Sequence, residues 1–288
     1  MVSQAAERLW REAVELVSPT VLILGGFLTS PPFYWRMSRR LVARGAAEVV
    51  VSRVWTPDWI LAGGLGLGRI VAQAARGLRT ARDLSGRSPA SLGAPILIVG
   101  HSAGGIVARL LTSDEAFAGH RYAAAPSIGA IVTLGTPHEV DSRALLGNRL
   151  GALAAEFANR VVPGSYYAPR VGYLCVASRA TVGLPDGTGR ERTALRLYQG
   201  LRPTPRGVVV EGDGLVPVEA AVMTGAPSLI LDDVDHGHGS GRPWYGADRG
   251  LDAWWEPALE TWRAALRARL ASDRSDWLGR VPEPPPAG

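Results

Sequence analysis

Six short apolar runs recur along the chain, separated by polar stretches with helical spacing: Val21–Leu24, Glu48–Ser52, Pro95–Val99, Ile128–Leu134, Val171–Ala177 and Ser228–Leu231. Most are rich in Val, Ile and Leu and lack polar alternation. A strand with one wet face alternates, whereas a strand covered on both faces does not. The runs therefore predict strands buried on both sides. The stretches between them predict helices near Tyr34–Ala43, Gly68–Leu84, Gly104–Leu111, Ala144–Ala158 and Val218–Thr224. A last helix, about Leu251–Ala271, carries Trp255, Leu259, Trp262, Leu266 and Leu270 on one face. Strands alternating with helices predict an α/β fold: a mostly parallel sheet of about six strands with helices on both faces.

Three segments stand outside this alternation. In Met1–Val17, Ala6, Leu9, Ala13 and Leu16 recur at helical spacing among Glu7, Arg8, Arg11, Glu12 and Glu15. That pattern fits an amphipathic helix and not the apolar core of a signal peptide. Arg179–Gly207 mixes Gly, Pro, Arg and Thr without a clean period and exceeds an ordinary loop, so it reads as an insertion, either a mobile lid or a fixed cap. The end of the chain, 272–288, closes on Pro-Glu-Pro-Pro-Pro-Ala-Gly and reads as a disordered tail or short extended appendage. Residues 1–271 are thus expected to form one domain.

Composition narrows the function classes. With 288 residues, 47% of them hydrophobic, the chain is long enough to bury a sizeable core. Its 31 basic residues are all Arg and give a net charge of +5, but they are dispersed among Asp and Glu. There is no basic run suited to nucleic acid, and at most a weak attraction to an anionic membrane surface. Ser88–Ala108 is uncharged and long enough to span a bilayer, yet Pro89, Pro95 and several glycines break it, so it is not read as a membrane helix. A cytoplasmic protein with at most peripheral membrane contact is expected. Cys175 is the sole cysteine and lies in an apolar run, which leaves no intrachain disulfide and no cysteine metal site.

The strongest chemical signal is Ile96-Leu97-Ile98-Val99-Gly100-His101-Ser102-Ala103-Gly104-Gly105-Ile106-Val107. It is a G-x-S-x-G motif with an apolar strand leading in and a helix of small residues leading out. A sharp strand-to-helix turn strains the Ser backbone, so its neighbours must be nearly free of side chains. Ser102 then projects at the sheet edge over a helix N-terminus that favours developing negative charge. The Ala103 amide is placed to be one oxyanion donor. A phosphate loop is the competing reading of such glycines, but no Gly-Lys-Ser/Thr follows.

Five stretches together resemble the lipase/esterase branch of the α/β-hydrolases: Leu24-Gly25-Gly26-Phe27, Gly100-His101-Ser102-Ala103-Gly104-Gly105, Leu134-Gly135-Thr136-Pro137-His138, Gly212-Asp213-Gly214-Leu215-Val216-Pro217, and His236 followed by Pro243-Trp244-Tyr245-Gly246. Within that branch the chain most resembles lipase-like hydrolases of cyanobacteria and plants that are distantly similar to GPI-inositol deacylases. The resemblance spans about Val21 to Ala265. It implies the α/β-hydrolase fold and hydrolysis of a small-molecule or lipid ester without metal or organic cofactor; it says nothing of oligomeric state.

In such a fold a serine needs a histidine base and a carboxylate that orients it, in the chain order Ser, Asp/Glu, His. His101 and His138 precede any downstream acid, and His120 lies in a polar turn. His236 and His238 both follow the last predicted strand, so topology leaves both open. The resemblance implies His236, from its spacing to Trp244-Tyr245-Gly246. It implies Asp213 as the acid, with Asp186 in Leu184-Pro185-Asp186-Gly187 as the other candidate. The second oxyanion amide is expected from the loop after the first strand, at Phe27, although Gly25-Gly26 stands where relatives often carry His-Gly or Pro-Gly. Trp35, Trp59, Trp244 and Tyr245 are expected on the substrate rim; aromatics there suit an acyl chain or loop anchoring equally. The same parts serve an acyltransferase, and a non-catalytic binding protein with this fold is the other alternative.

Overall fold

The structure is a computed structural model that describes residues 14–141, 149–203, 205, 207–239 and 241–272. Most of Met1–Val17 and all of 273–288 lie outside the described residues, and so do the expectations for them.

The six predicted strands are β1 (Thr20–Leu24), β2 (Glu48–Val51), β3 (Ile96–His101), β4 (Ile128–Leu134), β5 (Gly172–Ser178) and, further along, β8 (Ser228–Leu231). They form one parallel sheet in the order β2-β1-β3-β4-β5-β8. Apolar residues on both sides of each central strand explain the layers. Leu22, Leu24, Ile96, Ile98, Ile131 and Cys175 enter one core with α3 (Gly68–Arg87), α4 (Ala103–Thr112) and α5 (Arg149–Val161). Their neighbours Val21, Ile23, Leu97, Val99, Val132 and Val176 enter a second core with α1 (Trp35–Ala43) and α8 (Asp248–Ser272). Alternate side chains of a strand point to opposite faces, so continuous apolar runs need cover on both. β1, β3 and β4 are buried throughout, whereas β2 and β8 at the sheet edges keep exposed positions.

Two regions hold elements that the hydrophobic pattern does not predict. Around Trp59, expected on the substrate rim, α2 (Thr56–Leu65) forms. Trp59, Ile60 and Leu61 are consecutive apolar residues, so no helical period is visible, while Pro57 and the Asp58 carboxylate on the Trp55 amide at 2.9 Å start the helix. The second region is 179–207. It holds β6 (Thr181–Gly183) and α6 (Gly189–Leu201), and β6 pairs antiparallel with β7 (Val210–Gly212). Thr188 caps α6 in a reciprocal arrangement with Glu191. That T-x-x-E signature was legible; the buried stripe of Ala194, Leu195 and Tyr198 was too narrow to show a period. The short α7 (Val218–Ala221) ends before the predicted Thr224, and α5 starts at Arg149, with 142–148 outside the described residues. Among the described residues no helix is long and apolar enough to cross a membrane.

The sheet order places the candidate site. β1 lies between β2 and β3, so the chain leaves β1 toward one edge and returns from β3 toward the other. At such a switch point the loops after adjacent strands diverge and leave a crevice at the strands' carboxyl ends. Gly25-Gly26-Phe27 and Ser102 follow those two strands.

Candidate active site

Ser102 sits between β3 and α4 with φ 54° and ψ −128°, a conformation that L residues rarely adopt. Such a backbone persists only when its surroundings over-determine it. Its N–H donates to the Leu134 carbonyl at 2.9 Å, tying the turn to the end of β4. A Cβ on Gly104 would overlap the Leu24 carbonyl, so only glycine lets α4 start this close to β1. Among the described residues, the amides of Phe27 and Ala103 donate no hydrogen bond, although both belong to the loops that meet here.

The Asp213 carboxylate is buried, 2% exposed, in the turn after β7. Oδ1 accepts the Val216 amide at 2.7 Å and the Leu215 amide at 3.0 Å. Oδ2 accepts His236 Nδ1–H at 2.7 Å and the Tyr245 hydroxyl at 3.0 Å. Burial disfavours its charge, but the His236 partner and the two amides outweigh that and hold the carboxyl below its ordinary range. Burial and the Asp213 charge push the Tyr245 phenol well up, so it stays a donor. The His236 amide donates to the Asp213 carbonyl at 2.9 Å, a second tie between the two loops. With Nδ1–H given to the carboxylate, a neutral His236 keeps its lone pair on Nε2. Gly135, at φ 54°, makes room for the pair: a Cβ there would crowd Asp213 and lie 3.0 Å from His236 Nδ1.

The other candidates sit elsewhere. His238 packs its ring on Phe33 and Trp244, with centroids 4.5 and 4.4 Å away, and is held by the Phe33 backbone; burial lowers its pKa. Asp186 is exposed in the turn before α6. His120 is also exposed. His138 is buried against Thr133 and Arg109, as a structural residue would be. Cys175 is a free, buried thiol whose pKa burial raises. Among the described residues, no group of three or more His, Cys, Asp or Glu side chains could hold a metal ion.

The expected rim needs correction in three of its four aromatics. Trp35 is exposed, but Trp59, Trp244 and Tyr245 are buried. Trp59 packs edge-on against Phe27 at 5.7 Å, Trp244 supports Phe33 and His238, and Tyr245 bonds to Asp213. Large aromatics gain more by filling the gaps under loops than by facing water. The contact of Tyr245 with Asp213 was not legible, beyond the rule that a buried phenol finds a partner. An open cleft of about 540 Å³ lies beside His236, walled by Thr181, Arg190, Thr193, Leu215, Asp235 and His238. Arg190 of α6 donates to the buried Asp235 at 2.7 Å, so the inserted helix is bound to the residue next to His236.

His101 and His138 share a property with a measurable result. Burial holds both imidazoles down to about 3, from 6.5 for the free side chain. The unfolded chain therefore binds more protons between those values, and stability rises with pH across that window. At pH 5 each is expected to cost about 2 kcal/mol relative to neutral pH, or about 4 kcal/mol together. Urea denaturation at pH 7 and pH 5 reads this; equal stabilities would mean that the folded protein takes up these protons.

The comparisons with known proteins agree with this architecture. The family described as PGAP1-like alpha/beta domain matches residues 85–151, the stretch that contains β3, Ser102 and β4. No curated protein matches the sequence at a significant level. Among solved structures, the mature lipase BlEst2 of Bacillus licheniformis superposes with a TM-score of 0.55 at 16% identity, covering 84% of this chain and 92% of that one. The apo form of Thermogutta terrifontis esterase 2 gives a TM-score of 0.48 at 14% identity, covering 85% and 80%. The chain has the α/β-hydrolase fold and is similar to lipases and esterases built on it.

Proposed function

We propose that this protein is a serine hydrolase that cleaves a carboxylic ester through an acyl-enzyme. The observation that carries the reading is the buried Asp213–His236 pair at 2.7 Å, whose histidine backbone is bonded at 2.8 Å to His101, the residue before a serine held at φ 54° at the switch point of the sheet. In this reading Ser102 Oγ attacks the ester carbonyl and its proton passes to His236 Nε2. Asp213 keeps Nδ1–H oriented and offsets the imidazolium charge. The unpaired amides of Phe27 and Ala103 receive the oxyanion, with the N-terminus of α4 adding its field. His236 then protonates the departing alcohol, and water, activated by the same histidine, releases the acid. The turn from β3 to α4 is thus the nucleophile elbow, and residues 102, 213 and 236 the triad.

The substrate class is a small-molecule or lipid ester, supported by the similarity to lipases and esterases. A fluorophosphonate probe with mass mapping tests the reading directly. Stoichiometric modification of Ser102, blocked by prior turnover-competent ester, is expected. An unlabelled Ser102 in folded protein would remove the mechanism.

A further inference from the structure

His101 and Tyr34 take no part in the chemistry above, yet they join two of the loops it uses. The Gly26 amide donates to Tyr34 Oη at 2.8 Å. Tyr34 Oη lies 2.9 Å from His101 Nδ1, and His101 Nε2 lies 2.8 Å from the His236 carbonyl. A carbonyl only accepts, so Nε2 must carry the proton. A neutral imidazole then has only a lone pair on Nδ1, so the Tyr34 hydroxyl must donate to it. Thr29 Oγ1, 3.1 Å from Tyr34 Oη, already donates to the Gly26 carbonyl at 2.7 Å. Each hydrogen in the chain therefore has one direction: Gly26 N–H to Tyr34, Tyr34 O–H to His101, His101 N–H to His236. Tyr34 and His101 are 1% and 2% exposed, so water does not substitute for any link.

The three anchor points come from distant parts of the sequence. Gly26 precedes the Phe27 amide, His101 precedes Ser102, and His236 is the base. We propose that Tyr34 and His101 form a buried, directionally fixed strut that holds the oxyanion loop and the histidine loop at a set separation across the serine. Both are positioning residues. The inference rests on the reading of Ser102 and His236 as nucleophile and base. The strut acts on geometry reached at the tetrahedral stage, so its loss lowers transition-state stabilisation and leaves ground-state binding alone.

Tyr34→Phe keeps the ring and strands two polar groups. It is expected to lower kcat about tenfold or more with KM unchanged, and to weaken a boronic acid mimic of the tetrahedral intermediate by the same factor. His101→Gln keeps an N–H for the His236 carbonyl and is expected to retain most activity, while His101→Leu matches Tyr34→Phe. Tyr34→Phe combined with His101→Leu is expected to be no worse than the poorer single variant. Additive losses, unchanged boronate affinity in Tyr34→Phe, or equal losses in His101→Gln and His101→Leu would overturn the strut. Nitrogen-15 NMR of the unaltered protein needs no variant and no substrate: His101 is expected neutral at pH 7 with its proton on Nε2. The other tautomer overturns the strut even if the ester chemistry stands, whereas a protein that fluorophosphonate does not label overturns the chemistry and leaves the tautomer to be read.

Discussion

Replacing Ser102 by Ala is expected to lower kcat/KM for an activated ester by about four to six orders of magnitude, while the fold persists. The size of the loss follows from the division of labour. Without the hydroxyl no acyl-enzyme forms, and only the oxyanion amides and substrate binding remain to accelerate attack by water. The fold should survive because Ala keeps the Cβ, so the strain at φ 54° and the packing of the turn are unchanged. The Ser102 amide still reaches the Leu134 carbonyl. Circular dichroism and a thermal melt within about two degrees of wild type would establish that the loss is chemical. Near-normal turnover in a variant purified free of wild-type enzyme would sink the mechanism.

The second large effect separates the two histidines of one loop. His236→Ala is expected to lose nearly as much as Ser102→Ala, and the double variant little more than either, because triad members act as a unit. His238→Ala is expected to stay within about tenfold of wild type, roughly 1.4 kcal/mol of transition-state stabilisation. The two residues are only two apart but have different partners. His236 gives Nδ1–H to a buried carboxylate, whereas His238 rests on Phe33 and Trp244 near the surface. Kinetics on one ester panel for both variants would decide the assignment; exchanged phenotypes would make His238 the base.

That contrast marks the boundary of what the chain reveals on inspection. All six strands of the sheet were legible: the four inner ones because strands covered on both faces read as unbroken apolar runs, and the part-exposed edge strands β2 and β8 because their short Val, Leu and Ile runs are set off from the helical stretches. The serine turn was legible for a similar local reason: its geometry needs glycines at fixed offsets, and Gly100 and Gly104 both occur where backbone approaches backbone. The helix α2 was not, since an apolar stretch without period looks alike as loop or helix. Nor was the burial of Trp59, Trp244 and Tyr245, which depends on what lies across from them and not on their own neighbours in sequence.

The sequence by itself determined the layering, the six strands of the main sheet and the position of the serine turn, all of which are written in short local patterns of residues; the small β6–β7 pair was not among them. Tertiary structure alone decided which polar groups face each other. Asp213 meets His236 across 23 positions and Tyr245 across 32, and His101 meets Tyr34 across 67 and His236 across 135. Periodicity carries no record of such pairings. They form where the loops after β1, β3 and β8 meet the turn after β7 of the small β6–β7 sheet, and where most buried donors and acceptors find partners in one another.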